Sequence, residues 1–330
     1  MMKVMGSRYI VDTIDYHTAG EPFRIVTGGA PPLKGRTIMD KRRYALEHLD
    51  EVRQLLVFEP RGHADMYGCF VTEPEDDRAQ LGIVFFHNAG YSTACGHGTI
   101  ALVTWAVETQ RVHPVEPETD VVVDVPSGRL KTVATVEHGK VKAVRFRNVP
   151  SFVLAELSVR LGTKPVAVAV AYGGAFYAIV PSASFELPVE PAYLPRFIEL
   201  GREIKAQIEA ARDIVHPLNP ELRDIYGVIF TQGNRNVTVF ADGEVDRSPC
   251  GSGTSARLAL MDQRGELARG STLMHEGIVG TRFAGRVVGE DRVADIPAVI
   301  TEIEGSAFLT GSHQFVLQDD DPIGTGFLLR

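Results

Sequence analysis

The sequence lacks the features typical of secreted and membrane proteins: many cysteines, long apolar stretches and a signal peptide. It has three cysteines in 330 residues, too few for the disulfide framework of a secreted protein. No stretch approaches the ~18 consecutive apolar residues that a membrane-spanning helix needs. The first 17 residues lack the apolar core and the cleavage site of a signal peptide. We therefore expect a cytoplasmic protein without membrane contacts.

Positive charge is also scarce. The chain has 34 Lys and Arg against 42 Asp and Glu, a net charge of −8, and no basic block. Such a chain is a poor partner for nucleic acid or for an anionic membrane surface. What is present is an ordinary globular composition, 44% hydrophobic and 23% charged. At about 100–200 residues per domain, the length predicts two domains.

Short apolar segments separated by turn residues predict more strands than helices. Strands are predicted at 55–60, 68–74, 81–87 and 121–128, on both sides of His138-Gly139 within 129–150, on both sides of Gly173-Gly174 within 165–181, and at 226–232 and 236–245. Amphipathic helices are predicted at 40–55, with Leu46, Leu49 and Val52 apolar, and along Phe197, Ile204, Ile208 and Ala211. Hairpins outnumber β-α-β units, which indicates the α+β class.

One internal similarity suggests a duplication. The pattern C-G-x-G-T occurs at Cys95 and again at Cys250, 250 − 95 = 155 residues later, which is close to half of the chain. Each copy follows a predicted strand and turn and begins a predicted helix. The second helix is expected to end at Gly265, a residue suited to a C-cap. The spacing therefore suggests two copies of one domain, each with a cysteine at a helix N-terminus.

This placement of the two cysteines predicts a specific chemistry. Unpaired N–H groups and the dipole at a helix N-terminus favour an anion, and they lower the pKa of a thiol. Either Cys95 or Cys250 can therefore form a thiolate near neutral pH, and we expect one of them to start as thiolate and the other as thiol. Two such helix ends facing each other would hold one small carboxylate, with a sulfur on each side of its α-carbon. This arrangement suits removal of a proton from one face and its return to the other.

Other interpretations of the cysteines are weaker. Cys69 lies within a predicted strand, where a cysteine is usually a small buried hydrophobe. Neither motif has a C-x2-C pair, which argues against zinc, and neither has the lysine of a phosphate-binding loop. A nucleophilic Cys95–His97 pair would leave the second motif unexplained. We therefore expect no metal site.

Five segments resemble the proline racemase superfamily, which includes proline racemases, 4-hydroxyproline 2-epimerases and trans-3-hydroxy-L-proline dehydratases. They are 17–29, 58–68, 95–101, 172–181 and 246–256. The resemblance implies two pseudo-symmetric domains of the diaminopimelate epimerase type, each a curved mixed sheet around a central helix. The implied domains are 1–149 plus 312–330 and 150–311, with the chain crossing at 148–151. Members commonly form dimers, so the expected partners are a proline-type imino acid and a second copy of the chain.

The resemblance also implies roles for particular residues. Cys95 and Cys250 would be the two acid/base residues, and Asp246 would contact the ring nitrogen of the substrate. The substrate carboxylate would be held by Gly96, His97, Gly251 and Ser252. Two of these residues have structural alternatives: Asp246 as a helix-cap or turn aspartate, and His97 as part of the helix start.

The features that distinguish branches of the superfamily are mixed. Two cysteines are typical of racemases and epimerases, and Gly98-Thr99 is similar to 4-hydroxyproline epimerases. The segments 86–92, 245–253 and 319–330 look closer to the dehydratases, which usually have Thr at position 250. The main hypothesis is a cofactor-independent racemase or epimerase that inverts Cα of proline or 4-hydroxyproline. The alternatives are a trans-3-hydroxy-L-proline dehydratase and a non-catalytic amino-acid-binding or thiol-switch protein.

Overall fold

The computed structural model of the protein describes residues 8–329. Its α-helices are α1 (Ile38–His48), α2 (Asp50–Val57), α3 (Gly96–Glu108), α4 (Leu194–Ala211) and α5 (Gly251–Gln263). None of the helices in the described part of the chain is long and apolar enough to cross a membrane.

The strands make up most of the regular structure. Those of the first half are β1 (Arg8–Thr18), β2 (Glu21–Gly28), β3 (Tyr67–Thr72), β4 (Leu81–His87), β5 (Glu118–Val125), β6 (Gly128–Glu137) and β7 (Lys140–Arg147). They are followed by β8 (Phe152–Leu161), β9 (Lys164–Tyr172), β10 (Phe176–Pro181), β11 (Val215–His216), β12 (Asn219–Arg223), β13 (Ile225–Gln232), β14 (Arg235–Phe240), β15 (Glu244–Asp246), β16 (Leu273–Glu276), β17 (Arg282–Val293), β18 (Ile296–Gly305) and β19 (Ala307–Gln318).

Strand pairing divides the sheet into two matching arrays. The first array runs β19-β1-β2-β3-β4-β5-β6-β7. The second runs β8-β9-β10-β13-β14-β16-β17-β18. The third and fifth pairings of each array are parallel and its other pairings are antiparallel. The arrays join where β7 pairs with β18. The prediction of an α+β fold with two pseudo-symmetric mixed sheets is confirmed.

Each array packs around one helix. The first array covers α3 and the second covers α5. Both helices have 13 residues. The first residue of α5 lies 155 positions after the first residue of α3, and the same spacing separates their last residues. All of α3 from Gly96 to Val107 is buried, as its nearly continuous apolar sequence requires. The spacing of the two motifs thus reflects two equivalent helices inside two equivalent sheets.

Most of the predicted strands are confirmed, but the segment 40–60 is not. The predicted helix is two helices that meet at Leu49, and Leu46 is exposed. The strand predicted at 55–60 is wrong, because residues 55–57 complete α2 as a buried helical turn. A short apolar run fits a buried helix as well as a strand, so periodicity alone does not separate them.

Two smaller predictions also need correction. The strand predicted at 236–245 is two strands, because Ala241 and Gly243 have positive φ and turn the chain between β14 and β15. On α4, Ala211 is exposed, and the buried face consists of Phe197, Leu200, Gly201, Ile204 and Ile208.

We propose that the two arrays are the two predicted domains. Residues 148–151 lie between β7 and β8, where the chain leaves the first array. The predicted return at 312 lies inside β19, which pairs with β1 from Ala307 onward. We therefore propose that the return to the first domain begins with β19.

Candidate active site

The N-termini of α3 and α5 meet at two glycines. A Cβ atom added to Gly96 would lie 2.6 Å from the Cα of Gly251, and one added to Gly251 would lie 2.7 Å from the Cα of Gly96. Real Cβ atoms do not approach other atoms so closely, so the two backbones are in contact and exclude any side chain. The first glycine of C-G-x-G-T therefore allows the two helices to face each other at close range.

The second glycine of each motif leaves room for the cysteine side chain. A Cβ at Gly98 would lie 2.8 Å from the Sγ of Cys95, and a Cβ at Gly253 would lie 2.8 Å from the Sγ of Cys250. A larger residue would also collide with the ring of Phe23 at Gly98 and with Ile229 at Gly253, so it would disturb the sulfur and the side chain packed beside it.

The threonines of the two motifs are also equivalent. The hydroxyl of Thr99 donates to the carbonyl of Cys95 at 2.8 Å, and that of Thr254 donates to the carbonyl of Cys250 at 2.7 Å. These bonds fix the first turn of each helix on the residue that carries the sulfur.

The surroundings of Cys95 include a buried histidine. Cys95 has an extended backbone, and its Sγ accepts a hydrogen bond from the N–H of Gly98 at 3.2 Å. The ring nitrogens of His97 lie 3.4 and 3.6 Å from the same sulfur. Burial lowers the pKa of His97 to about 3, so its ring is neutral at neutral pH. The ring packs edge-on against Phe23 and Tyr67.

The surroundings of Cys250 differ. Its φ is +66°, a left-handed conformation that is costly for a residue with a Cβ. The hydroxyl of Tyr177 lies 3.6 Å from its Sγ and 2.6 Å from the hydroxyl of Ser252. The N–H of Cys250 donates to the Oγ of Ser248 at 3.1 Å. A polar turn before the helix thus holds the strained cysteine in place.

Asp246 is the buried carboxyl of this turn. Its Oδ1 accepts from both the N–H and the hydroxyl of Ser248, at 2.8 and 2.7 Å. Burial raises the pKa of Asp246 to about 6, although the Ser248 donors act in the opposite direction. The structure thus places Asp246 in the turn, as the structural alternative expected, and also against the candidate site.

The expectation that the helix N-termini lower the thiol pKa values is wrong. Burial raises the pKa of both Cys95 and Cys250 well above the ordinary value of a thiol. The negative charge of Asp246 raises the pKa of both further, while the N–H of Gly98 lowers that of Cys95. Desolvation and a neighbouring anion outweigh the helix N-terminus here. These shifts favour the thiol form of both cysteines.

One cavity brings all the predicted site residues together. It is lined by Tyr67, Ala94, Cys95, Gly96, His97, Tyr177, Tyr226, Phe240, Asp246, Cys250, Gly251 and Ser252, and it has room for about one water molecule. Sequence reasoning missed the aromatic wall. Tyr67 and Tyr177 lie within the segments that carry the family resemblance, but Tyr226 and Phe240 stand in strands with no sign that they face a site.

Comparisons with known proteins identify the family. The sequence profile of the proline racemase family matches residues 13–328. A trans-3-hydroxy-L-proline dehydratase of Burkholderia ambifaria is 48% identical, and a 3-hydroxyproline 2-epimerase of Burkholderia multivorans is 47% identical; each match covers 100% of both chains. A crystal structure of a hydroxyproline epimerase from Agrobacterium vitis has a TM-score of 0.92 and 31% identity, and covers 97% of this chain and 96% of that one. The chain belongs to the proline racemase family.

Proposed function

We propose that the protein inverts the α-carbon of a proline-type imino acid, with Cys95 and Cys250 as acid and base and without a cofactor. The observation that carries this proposal is the position of the two cysteines. They begin two equivalent helices and line the same cavity from opposite halves of the chain. Inversion needs one proton carrier on each face of the α-carbon, and two facing thiols supply them.

The helix ends supply a site for the substrate carboxylate. The first N–H groups of a helix have no partner within the helix, and the dipole there favours an anion. Here these groups belong to Gly96, His97, Gly251 and Ser252, all of which line the cavity. Asp246, which lines the same cavity, suits the positively charged ring nitrogen. A carboxylate held in this way also accepts the negative charge that develops when the α-proton leaves.

Because the thiol pKa values are raised, the bound substrate must lower them before a thiolate can form. The negative charge of Asp246 is one cause of these shifts. A bound ring ammonium compensates that charge and so lowers both pKa values. As the substrate binds, one of the two thiols releases its proton to solvent, and the resulting thiolate takes the α-proton. The opposite thiol donates its proton to the other face of the carbanion. The two cysteines exchange protonation states in each turnover, and they titrate as a coupled pair.

The aromatic wall favours a hydroxylated ring. The hydroxyls of Tyr67 and Tyr226 lie 3.1 Å apart in the cavity wall; Tyr67 is buried and Tyr226 is partly buried. These two hydroxyls bond to each other, and that of Tyr67 also bonds to the hydroxyl of Ser92. A ring hydroxyl of the substrate can join this network, whereas unsubstituted proline offers it no group to bond. We therefore propose hydroxyproline as the substrate class.

A second candidate function is dehydration of trans-3-hydroxy-L-proline. It is favoured by the full-length relative of that name at 48% identity. Dehydration shares the removal of the α-proton by one cysteine. The other cysteine then protonates the 3-hydroxyl, which leaves as water, and the product is a cyclic imine.

One assay panel separates these functions. The protein is incubated in D2O with D- and L-proline and with the 4-hydroxy and 3-hydroxy isomers, and the products are followed by NMR. Epimerisation gives the inverted imino acid with deuterium at Cα, with hydroxyprolines turned over faster than proline. Dehydration gives a product that reacts with o-aminobenzaldehyde. No Cα exchange with any substrate would rule out both activities and leave a binding or thiol-switch role.

The same site predicts an inhibitor. Pyrrole-2-carboxylate is planar at the atom that corresponds to Cα, so it should bind more tightly than the substrate and protect a cavity cysteine from iodoacetate. By family resemblance we also propose a homodimer, which sedimentation analysis would test.

A further inference from the structure

A second buried carboxyl group lies beside the site, and the mechanism above does not use it. Glu21 begins β2, and its side chain is fully buried. Its Oε2 accepts a hydrogen bond from the backbone N–H of Arg247 at 2.7 Å. Its Oε1 is buried and has no hydrogen-bond partner within residues 8–329. A carboxylate anion is poorly accommodated in such a position.

The nearest positive charge is already paired. The guanidinium of Arg247 lies 2.8 Å from Oδ2 of Asp65, and that carboxyl is itself buried. Asp246, the residue before Arg247, is the other buried carboxyl close to Glu21. Two other buried carboxyls thus lie close to Glu21, and the guanidinium beside it is bound to one of them. If Glu21 and Asp246 were both ionised, two negative charges would lie close together in a buried site, which is strongly unfavourable.

We propose that Glu21 is a positioning residue that stays protonated in the closed site, so that Asp246 is the one uncompensated carboxylate facing the substrate. In this role the C=O oxygen of the Glu21 side chain accepts the hydrogen bond from the backbone N–H of Arg247. This bond fixes the position of Asp246, the residue before Arg247. The proposal rests on the proposed function, in which Asp246 receives the ring ammonium. One uncompensated negative charge matches the single positive charge of that ammonium.

The electrostatics of the cluster agree with this assignment. Burial raises the pKa of Glu21 well above its ordinary value, the charges of Asp246 and Asp65 raise it further, and Arg247 lowers it. The pKa of Asp246 is raised only to about 6. As the pH rises, the pair therefore loses its first proton from Asp246 and keeps the second on Glu21.

The proton on Glu21 also affects the chemistry at Cys95. A negative charge on Glu21 would raise the pKa of the Cys95 thiol. A neutral Glu21 therefore makes thiolate formation easier than an ionised one. The charged or titratable groups that face Glu21 are Asp246 of β15, Arg247 after it, Asp65 before β3 and Cys95 at the start of α3.

Two amide substitutions test the proposal, because each neutralises one carboxyl with little change of shape. Glu21→Gln keeps an oxygen acceptor for the N–H of Arg247 and is permanently neutral. We expect its kcat/KM to stay within about threefold of the wild type, as for exchange between neutral acceptors. The acid limb of its pH profile should remain near pH 6, the value to which the pKa of Asp246 is raised. Asp246→Asn should lose roughly 10²-fold in kcat/KM, because the substrate ammonium loses its counter-charge.

A third variant tests the positioning role. Glu21→Ala removes the acceptor of the Arg247 N–H, so KM should rise about tenfold with a smaller change in kcat, and Glu21→Gln should restore it. The proposal is overturned if Glu21→Gln loses as much activity as Asp246→Asn. It is also overturned if Glu21→Gln moves the acid limb by about one pH unit or more, since a change of that size would show that wild-type Glu21 is an anion.

A spectroscopic readout is independent of activity. Infrared spectra of the free protein at pH 7 should contain the C=O stretch of a protonated carboxyl, and Glu21→Gln should remove that band. Glu244→Gln is the matched control. Glu244 is also buried, but it lies 3.3 Å from the ring of His87 and accepts from the N–H groups of Ala89 and Asp242, and these partners lower its pKa despite burial. The control should keep the band. Absence of the band in the wild type, or its survival in Glu21→Gln, would refute the proposal even if no substrate were turned over.

Discussion

The two cysteine sites have the same frame but different surroundings. In both, one glycine allows the helices to meet, a second makes room for the sulfur, and a threonine binds the carbonyl of the cysteine. Yet Cys95 is extended and lies beside a neutral histidine, whereas Cys250 has positive φ and lies near a tyrosine hydroxyl. The shared glycines and threonine place two equivalent proton carriers, whereas the groups next to each sulfur differ between the two halves.

The difference corresponds to the asymmetry of an imino acid. Asp246 has no counterpart in the first half, because the residue 155 positions earlier is Tyr91, whose hydroxyl donates to the carbonyl of Ala45. Among residues 8–329, only the second half therefore presents a carboxyl to the cavity. A duplicated domain can supply equivalent bases for the two faces of the α-carbon, but the ring nitrogen lies on one side and needs one partner.

The largest expected effect tests the symmetric part of the comparison. Cys95→Ser and Cys250→Ser should each lower the rate of inversion by roughly 10³-fold or more, since each removes one of two proton carriers. Each variant should still exchange the α-hydrogen of one enantiomer with D2O, through the remaining cysteine, and the two variants should act on opposite enantiomers. NMR of each enantiomer in D2O measures both quantities.

Cys69→Ser is the control for the cysteine variants. Cys69 is fully buried in β3 and does not line the cavity, so its substitution should lower stability without changing kcat. Inversion by Cys250→Ser at close to the wild-type rate would contradict the two-base mechanism.

The glycines test whether the shared frame is required in both halves. Gly96→Ala and Gly251→Ala push the helix ends apart. Gly98→Ala and Gly253→Ala collide with a sulfur and with a neighbouring side chain, Phe23 or Ile229. A displacement of about 1 Å costs roughly 10²-fold in rate, so all four should lose activity on that scale. Gly289→Ala is the control, because its Cβ would meet Ile300 at an ordinary 3.5 Å. Unequal losses at equivalent positions would show that one half tolerates movement of its helix.

The repeated part of the site could be predicted from the sequence, while the asymmetric part could not. The C-G-x-G-T repeat predicts two helix starts with two sulfurs because those features depend on local backbone geometry. Tyr226 and Phe240 gave no signal, because strand residues reach a cavity only through pairing between distant segments. The thiol pKa values were predicted in the wrong direction for a similar reason. The helix dipole is visible in the sequence, but burial and the charge of Asp246 depend on the whole fold.

Asp246, the carboxyl found in the second half of the site, should make both activity and stability depend on pH. Because its pKa is raised to about 6, kcat/KM should fall as the pH drops below that value and the carboxyl becomes neutral. The effect on stability has the opposite sign. A carboxyl with a raised pKa stabilises the fold at low pH and loses that contribution as the pH rises through about 6. Asp246→Asn should therefore melt higher than the wild type at pH 7 and close to it at pH 4, as differential scanning fluorimetry can show. A Tm difference that does not depend on pH would contradict the raised pKa.

The smallest expected effect concerns the neighbours of the two sulfurs. Tyr177→Phe removes a hydroxyl that lies 3.6 Å from Cys250 and leaves the ring in place. It should slow proton transfer on the Cys250 side and lower kcat/KM about tenfold. The equilibrium constant fixes the ratio of kcat/KM in the two directions, so both directions must fall together. The asymmetry should instead appear in the primary deuterium isotope effect, which should increase for the enantiomer whose α-hydrogen faces Cys250 and not for the other.

His97→Asn, which changes the neighbour of Cys95, should show the reverse pattern. Equal isotope effects for both enantiomers in both variants would mean that these neighbours support the pocket as a whole and do not act on one sulfur each.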